Sequence, residues 1–173
     1  MKNTTEKKNV QRKNLSNVYN KSLLTKQIYL PFTLVSKNIK EILEKMISNE
    51  IEGKCIVEGF IKPKSTKIIS YSSGVLVESN VMFDVVFECL VCCPVEGMLI
   101  KCITKNMTQA GIRATLNEDP SPLMVYVSRD HHINNDYFNS IKEEDEITVR
   151  VIGQRYELND SQVSVIGELV TPK

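Results

Sequence analysis

Hydrophobic residues recur with two different periods along the first half of the chain. From Gln27 to Val35 they alternate with polar residues, which predicts a strand in which Pro31 marks an edge position or a break. Farther along, the spacing changes to three and four residues. This predicts one long helix that ends at Gly53. Its apolar stripe consists of Ile39, Ile42, Leu43, Met46 and Ile47.

After the helix, the period returns to two. Short strands are predicted over Lys54–Ile61 and Thr66–Ser70, with the turn residues 62–65 between them. Residues 81–92 alternate over a longer stretch and predict a long strand with one apolar face. The order β-α-β-β-β predicts a small α+β domain, in which one helix packs on a small antiparallel sheet.

The second half of the chain, from Pro94 onward, has only strand patterns. Five strands with a long polar excursion, residues 129–140, between the third and the fourth predict a five-stranded barrel of the oligonucleotide-binding (OB) type. The predicted strands are Met98–Lys105, Gly111–Leu116, Leu123–Ser128, Ile147–Val151 and Val163–Leu169.

The distribution of charge divides the chain near residue 26, and not near Pro94, where the half with only strand patterns begins. Residues 1–26 hold seven Lys or Arg and one Glu, a net charge of +6, whereas residues 27–173 hold 15 basic and 20 acidic residues, a net charge of −5. The N-terminal segment has few apolar residues, so we predict a disordered basic tail over 1–25, followed by domains at 26–93 and 94–173. The tail is either an arm for nucleic acid or an acidic partner, or a solvated segment without a role. The acidic remainder argues against coating nucleic acid by bulk charge.

Composition excludes several classes of protein. Hydrophobic residues make up 42% and charged residues 25%, as in ordinary globular domains. No apolar run is long enough to span a membrane, and the first residues lack the apolar core of a secretory signal. We therefore expect the five cysteines to be reduced thiols in a cytosolic, nuclear or virion setting. Cys89 and Cys92 have the spacing of a zinc knuckle but lie on a strand pattern, which favours buried thiols over a metal.

The sequence contains no motif of a known catalytic site. It has neither a glycine-rich phosphate loop nor the motifs of zinc proteases and serine hydrolases. Arg129, Asp130, His131 and His132 follow the third barrel strand and are interpreted as a phosphate-contacting loop, a plain surface loop or, least of all, a metal site. Neighbouring histidines on an extended chain point to opposite faces, which makes a chelate awkward. We expect no cofactor.

Several short motifs occur in an order that resembles a known family. The motifs are Asp145–Glu146–Ile147, Gly153–Gln154–Arg155, Asn159–Asp160 and Ile166–Gly167–Glu168–Leu169. Upstream, Ala110–Gly111–Ile112, Val127–Ser128–Arg129 and Glu52–Gly53 fit the same pattern. Together, over residues 27–170, they resemble the stalk subunit of multi-subunit RNA polymerases, which is the seventh subunit of RNA polymerase II and is called E-prime in archaea. The Asn- and Lys-rich composition indicates an AT-rich genome, as in a version from a large DNA virus.

The resemblance implies a non-catalytic protein with three kinds of partner. The N-terminal domain would be a tip that docks onto the core subunits of RNA polymerase. The barrel would pair with a second small stalk subunit and contact nascent single-stranded RNA. Such a subunit acts in transcription initiation and in handling the transcript, in the nucleus or cytoplasm of a host or packaged in a virion, without a membrane.

Alternation along the barrel strands selects the candidate RNA-binding residues. Arg113 and Tyr126 are predicted to face outward on the second and third strands, where OB barrels stack bases and contact phosphates. Related RNA-binding barrels carry two aromatic residues on the second strand, where this chain has Ala110 and Arg113, so RNA binding is expected to be weak. The full candidate set is Tyr126, Arg113, Arg129, His131 and Lys105.

Two other functions compete with the stalk hypothesis. A stand-alone OB protein would bind single-stranded RNA tightly and purify as a monomer. A hydrolase or nuclease would need a catalytic site, for which the sequence offers no constellation. Co-purification with large polymerase chains would favour the stalk subunit over both.

Overall fold

A computed structural model describes residues 18–35 and 37–171. The first half contains six strands, a long helix and a 3-10 turn at Phe32–Leu34. The helix, α1, spans Ile39–Ile51. The strands are β1 (Tyr19–Pro31), β2 (Cys55–Ile56), β3 (Gly59–Ile61), β4 (Lys67–Tyr71), β5 (Val75–Val77) and β6 (Asn80–Cys92).

Strand β6 is the centre of the N-terminal sheet. On one side it pairs with β1 along the full 13 residues of both strands. On its other side it pairs in succession with β5, β4 and β3, and β2 continues the sheet beyond β3. All of these pairs are antiparallel. Every strand of this sheet except β2 is therefore hydrogen-bonded directly to β6.

Helix α1 covers one face of this sheet. Its residues Leu43, Ile47 and Ile51 are buried and form one cluster with side chains of the strands, among them Phe83 and Phe87. The apolar stripe that predicted the helix is therefore the surface that the helix buries. The opposite face of the sheet carries exposed side chains, since Leu23 is 66% and Tyr29 50% exposed.

The second half forms a closed barrel. Its strands are β7 (Leu99–Met107), β8 (Gly111–Thr115), β9 (Leu123–Ser128), β10 (Glu146–Arg155) and β11 (Val163–Leu169). They pair in the order β10-β11-β9-β8-β7, and β7 closes the barrel on β10. Only the pair between β9 and β11 is parallel within this barrel. A 3-10 turn, Arg129–His132, and a short helix α2, Asp136–Ser140, connect β9 to β10.

The end of the N-terminal sheet is part of the barrel core. Val18, Cys55, Phe60 and Cys92 belong to the same buried cluster as the inward side chains of the five barrel strands. The loop between β10 and β11 docks on β2 through two backbone hydrogen bonds. The amide of Cys55 donates to the carbonyl of Asp160 at 2.8 Å, and the amide of Asn159 donates to the carbonyl of Cys55 at 2.9 Å.

Polar contacts extend this junction. Tyr156 donates its hydroxyl to the carbonyl of Val57 at 2.9 Å. On the other side, the carboxylate of Glu118 accepts from the Tyr19 hydroxyl at 3.1 Å and from the Lys62 ammonium at 2.5 Å. Burial and the Glu118 carboxylate raise the pKa of Tyr19, so this tyrosine remains a neutral donor. The two halves of the chain are therefore joined by shared apolar packing and by hydrogen bonds on both sides of it.

The α+β class and the five-stranded OB-like barrel are confirmed. All five barrel strands lie within a few residues of their predicted positions. The predicted strand over Lys54–Ile61 is instead the hairpin of β2 and β3, because the chain reverses at Val57 and Glu58. Gly59, the first residue of β3, adopts a φ of +131°.

Two predictions about the ends of β1 need correction. The prediction of disorder over residues 1–25 is wrong for its last part, because β1 begins at Tyr19. Pairing with β6 along the whole strand orders this segment, although its own sequence is polar. Residues 1–17 lie outside the described residues. The predicted strand Gln27–Val35 ends at Pro31, after which the chain forms a 3-10 turn. The excursion 129–140, for which the sequence predicts no clear strand, contains the 3-10 turn and α2.

We expect Gly111→Ala to destabilise the barrel. At Gly111, φ is +151° and an added Cβ would lie 2.2 Å from the carbonyl oxygen of Val127, so β8 and β9 would have to separate. The free energy of unfolding in urea should fall by about 2–4 kcal/mol. Gly153→Ala is the matched control, because nothing lies within 4 Å of its added Cβ. It should change stability by less than about 0.5 kcal/mol. Equal effects of the two variants would contradict the strand geometry.

Candidate nucleic-acid interface

The outer wall of β8 and β9 brings Arg113 and Tyr126 together. Ile112 and Ala114 point into the core, so Arg113 between them points out; Tyr126 lies outside for the same reason. The two residues are direct cross-strand partners. The guanidinium carbon of Arg113 lies 5.8 Å from the centre of the Tyr126 ring, within the range of a cation–π contact. Tyr126 is 39% exposed, so part of its ring remains open for stacking.

Arg129 lies at the end of the same wall. Gly111 pairs with Ser128, and Arg129 follows as the first residue of the 3-10 turn. Its Nε donates to the carbonyl of Gln109 at 3.0 Å, and its guanidinium carbon lies 5.3 Å from the centre of the Phe138 ring. These contacts fix the side chain while it stays exposed. Arg113, Tyr126 and Arg129 thus form a strip of two guanidinium groups and one aromatic ring.

The other two candidates lie apart from this strip. Lys105, on β7, donates to both carboxylate oxygens of Glu144, at 3.0 and 3.2 Å. It borders a groove of about 710 Å³ between β7, β8 and the loop after β8, where Glu118 and Asp119 are also lining residues. His131 is exposed on the 3-10 turn. Lys105 is thus already paired with Glu144, and the groove that it borders is lined by two further carboxylates, a poor environment for a phosphate.

Ion pairs neutralise much of the positive charge on the barrel. Residues 94–173 include eight Lys or Arg and twelve Asp or Glu, a net charge of −4. Four basic side chains of the barrel have carboxylate partners: Lys101 with Glu146, Lys105 with Glu144, Arg150 with Glu168 and Arg155 with Glu157. Over residues 18–35 and 37–171, no carboxylate lies within 4.0 Å of the Arg113 or Arg129 guanidinium. The available cationic character of this wall is therefore concentrated in the strip.

Beyond Tyr126, the wall becomes apolar. Ile166 on β11 is the parallel partner of Tyr126 and is 53% exposed. Ile152 lies in the bulge of β10 beside it and is 44% exposed. Three neighbouring strands thus present an aromatic and two aliphatic side chains to solvent. Such a surface suits stacking bases at one end and a protein contact at the other.

His132 has a structural position that the sequence does not reveal. It is buried and its ring stacks on Phe138, with centroids 5.2 Å apart. The amide of Leu169 donates to Nε2 at 2.9 Å, so Nδ1 carries the proton and donates to the carbonyl of Ser128 at 2.7 Å. This neutral histidine ties β9, β11 and α2 together and holds the base of the turn that presents Arg129.

The cysteines are mostly buried. Burial raises the pKa of Cys92 and Cys102 to about 12, and that of Cys55 and Cys89 to about 11. Cys93 is partly exposed at the junction, where Gln154 donates to its sulfur at 3.2 Å. In the part of the chain that the structure describes, no three His, Cys, Asp or Glu side chains are arranged to hold a metal ion.

Comparison with known proteins gives one relevant similarity. No family model matches the chain. Over 158 residues it is 25% identical to a protein of Acanthamoeba polyphaga mimivirus named "Putative DNA-directed RNA polymerase subunit", and the alignment covers 82% of this chain and 76% of that protein. This similarity supports a role in DNA-directed RNA polymerase.

No helix among the described residues is long and apolar enough to cross a membrane.

At pH 8, we expect the native chain to react with iodoacetamide rapidly at one thiol, Cys93. A thiol with a pKa of about 11 is less than about one part in 1,000 thiolate at that pH, and the thiolate is the nucleophile. Mass spectrometry of the alkylated protein checks the prediction. Cys93→Ser should remove the fast reaction, and Cys102→Ser should leave it. Rapid alkylation of a second site in the folded chain would contradict the burial described.

Proposed function

We propose that this chain is a non-catalytic stalk subunit of a multi-subunit DNA-directed RNA polymerase. Its N-terminal sheet would dock on the core subunits as a tip. Its barrel would contact nascent RNA and a second small stalk subunit. The observation that carries the proposal is the similarity to the mimivirus polymerase subunit, because its 82% coverage requires residues from both halves of this chain and not the barrel alone.

The N-terminal sheet supports the docking role by its shape. The pair Tyr19 and Cys92 lies at the barrel, and the pair Pro31 and Asn80 lies at the other end of the same 13-residue ladder. At about 3.3 Å per residue, that ladder carries its far end about 40 Å from the junction. The far end would therefore reach a partner that the barrel does not touch.

The far end of the sheet is also apolar. Phe32 and Leu34 follow β1, and Leu76 and Val77 lie on β5, on the other side of β6. Their exposed fractions are 65%, 53%, 67% and 38%. The amide of Phe32 donates to the carbonyl of Ser79 at 3.1 Å, which holds the 3-10 turn beside the β5–β6 hairpin. Several exposed apolar side chains at one end of a sheet are typical of a protein interface.

The barrel supports a weak contact with RNA. The strip of Arg113, Tyr126 and Arg129 supplies one stacking ring and two guanidinium groups for phosphates. The net charge of −4 on residues 94–173 opposes the approach of a polyanion. RNA would thus be held by local contacts after the polymerase has brought it to the barrel. The neighbouring Ile152 and Ile166 would lie against the second stalk subunit.

We expect Leu76→Glu to detach the chain from polymerase. A carboxylate in an apolar interface loses hydration without gaining a partner, so recovery of the large polymerase subunits with the tagged full-length chain should fall about tenfold or more. Immunoprecipitation followed by mass spectrometry measures the recovery. Ile133→Glu is the control, because Ile133 is 71% exposed on the barrel side, and it should leave recovery unchanged. Purification of the wild-type chain without any polymerase subunit would contradict the proposal and favour a stand-alone RNA-binding protein.

Tyr126→Ala should weaken binding of single-stranded RNA by about 1–3 kcal/mol, because it removes the only ring of the strip. Tyr126→Phe keeps the ring and should bind nearly as well as wild type. Fluorescence anisotropy with a labelled 12-nucleotide oligouridine, at one fixed salt concentration, checks both variants. If Tyr126→Ala binds the RNA with the same affinity as wild type, stacking on Tyr126 is excluded and the wall is a protein-binding surface alone.

A further inference from the structure

Strand β1 forms a long edge of the N-terminal sheet. Within residues 18–35 and 37–171, β1 pairs with β6 alone, along all 13 of its residues. Its other side presents a row of backbone donors and acceptors. An uninterrupted edge of this length can pair with another strand, and folded proteins usually block such edges.

The register identifies the backbone groups on that edge. The amide of Phe32 donates to the carbonyl of Ser79, one step beyond the pair Pro31 and Asn80, so even-numbered residues of β1 bond to β6. The carbonyl of Leu90, the partner of Lys21, accepts from Lys62 on the opposite side of β6, which confirms the alternation. The outward amides belong to the odd-numbered residues Tyr19, Lys21, Leu23, Thr25, Gln27 and Tyr29.

Lysine and proline residues often prevent pairing at an edge strand, but those of β1 do not block its outer edge. The ammonium of Lys21 reaches inward across the sheet to Glu88, at 2.8 Å, and that of Lys26 reaches α1 at Glu50, at 2.5 Å. Pro31 lies at the very end of the strand, where it blocks little. By contrast, the Ile68 amide on β4 is capped by the carboxylate of Glu44 at 3.4 Å.

From this geometry we propose that β1 is a docking edge for an extended, acidic segment of another protein, which adds a strand to the N-terminal sheet. Backbone hydrogen bonds to the odd-numbered amides would hold the segment. Its alternate side chains would extend the face on which Leu23 and Tyr29 are already exposed. The proposal does not depend on the stalk assignment.

Charge selects this occupant over a second copy of the chain. Strand β1 contains two lysines, Lys21 and Lys26, and no acid. Two copies paired along β1 would bring two such strands side by side, and their lysines would repel each other. An acidic partner instead gains attraction along the same edge. Lys21 remains 66% exposed in its ion pair and has donors to share.

The partner segment can be identified by photo-crosslinking. The full-length tagged chain is expressed with p-benzoylphenylalanine at position 25, on the outward edge, and in a control at position 133 on the barrel. We expect position 25, and not 133, to crosslink to a segment of another protein with net negative charge. A crosslink to residues 1–17, a crosslink to a second copy, or the absence of any crosslink would overturn the proposal.

A synthetic peptide of the crosslinked segment then tests the binding mode. Amide hydrogen exchange followed by NMR should show new protection at Leu23, Thr25 and Gln27, while the amides of Leu24 and Lys26 are protected with or without peptide. Thr25→Pro removes one outward donor and should weaken the peptide about tenfold or more, whereas Thr25→Val should bind as wild type. Protection without this alternation, or full affinity of a folded Thr25→Pro variant, would contradict strand addition.

Discussion

The packing of the N-terminal sheet into the end of the barrel is the constraint on which the rest of the molecule depends. Phe60 and Cys92 are nearly inaccessible and lie in the same apolar cluster as the barrel strands. Removing this contact would expose the barrel core, so the two halves cannot separate without a large loss of buried apolar area. Their relative orientation is therefore part of the fold and not a property of a linker.

This junction also determines which barrel surfaces are free. OB barrels commonly contact ligands through the wall of the second and third strands and through two loops, one of which joins the fourth and fifth strands. Here that loop, residues 156–162, is bonded to β2 and to the turn after it through Tyr156, Asn159 and Asp160. The wall with Arg113 and Tyr126 is left as the open part of the usual ligand surface. From the same junction, the sheet extends its apolar end about 40 Å away.

Much of the fold is predictable because alternation reports burial directly. In the barrel, Ile112, Ala114, Val125 and Val127 point inward, so the alternation of residue types alone is enough to place Arg113 outward. The start of β1 is not predictable, because residues 19–25 are ordered by pairing with β6 and not by their own hydrophobicity. Strand β5 escapes prediction since its three residues are all exposed and show no alternation.

The site is predictable only in part, for a similar reason. Alternation along the strands predicts that Arg113 and Tyr126 both face outward. The ion pair of Lys105 with Glu144, by contrast, joins residues 39 positions apart. No local pattern reveals such a pair. The sequence groups His132 with His131 because the two are neighbours, whereas the 3-10 turn buries one and exposes the other. An Nε2 acceptor for the Leu169 amide can be found only in three dimensions.

Native-state hydrogen exchange of the full-length chain tests the central claim of one shared core most directly. If the junction unites the two halves, the slowest amides of β6, such as Val85, and of β9, such as Val125, will report the same free energy of opening, within about 1 kcal/mol. Opening free energies that differ by several kcal/mol, with one half exchanging while the other stays protected, would show two independently folded units and contradict the claim.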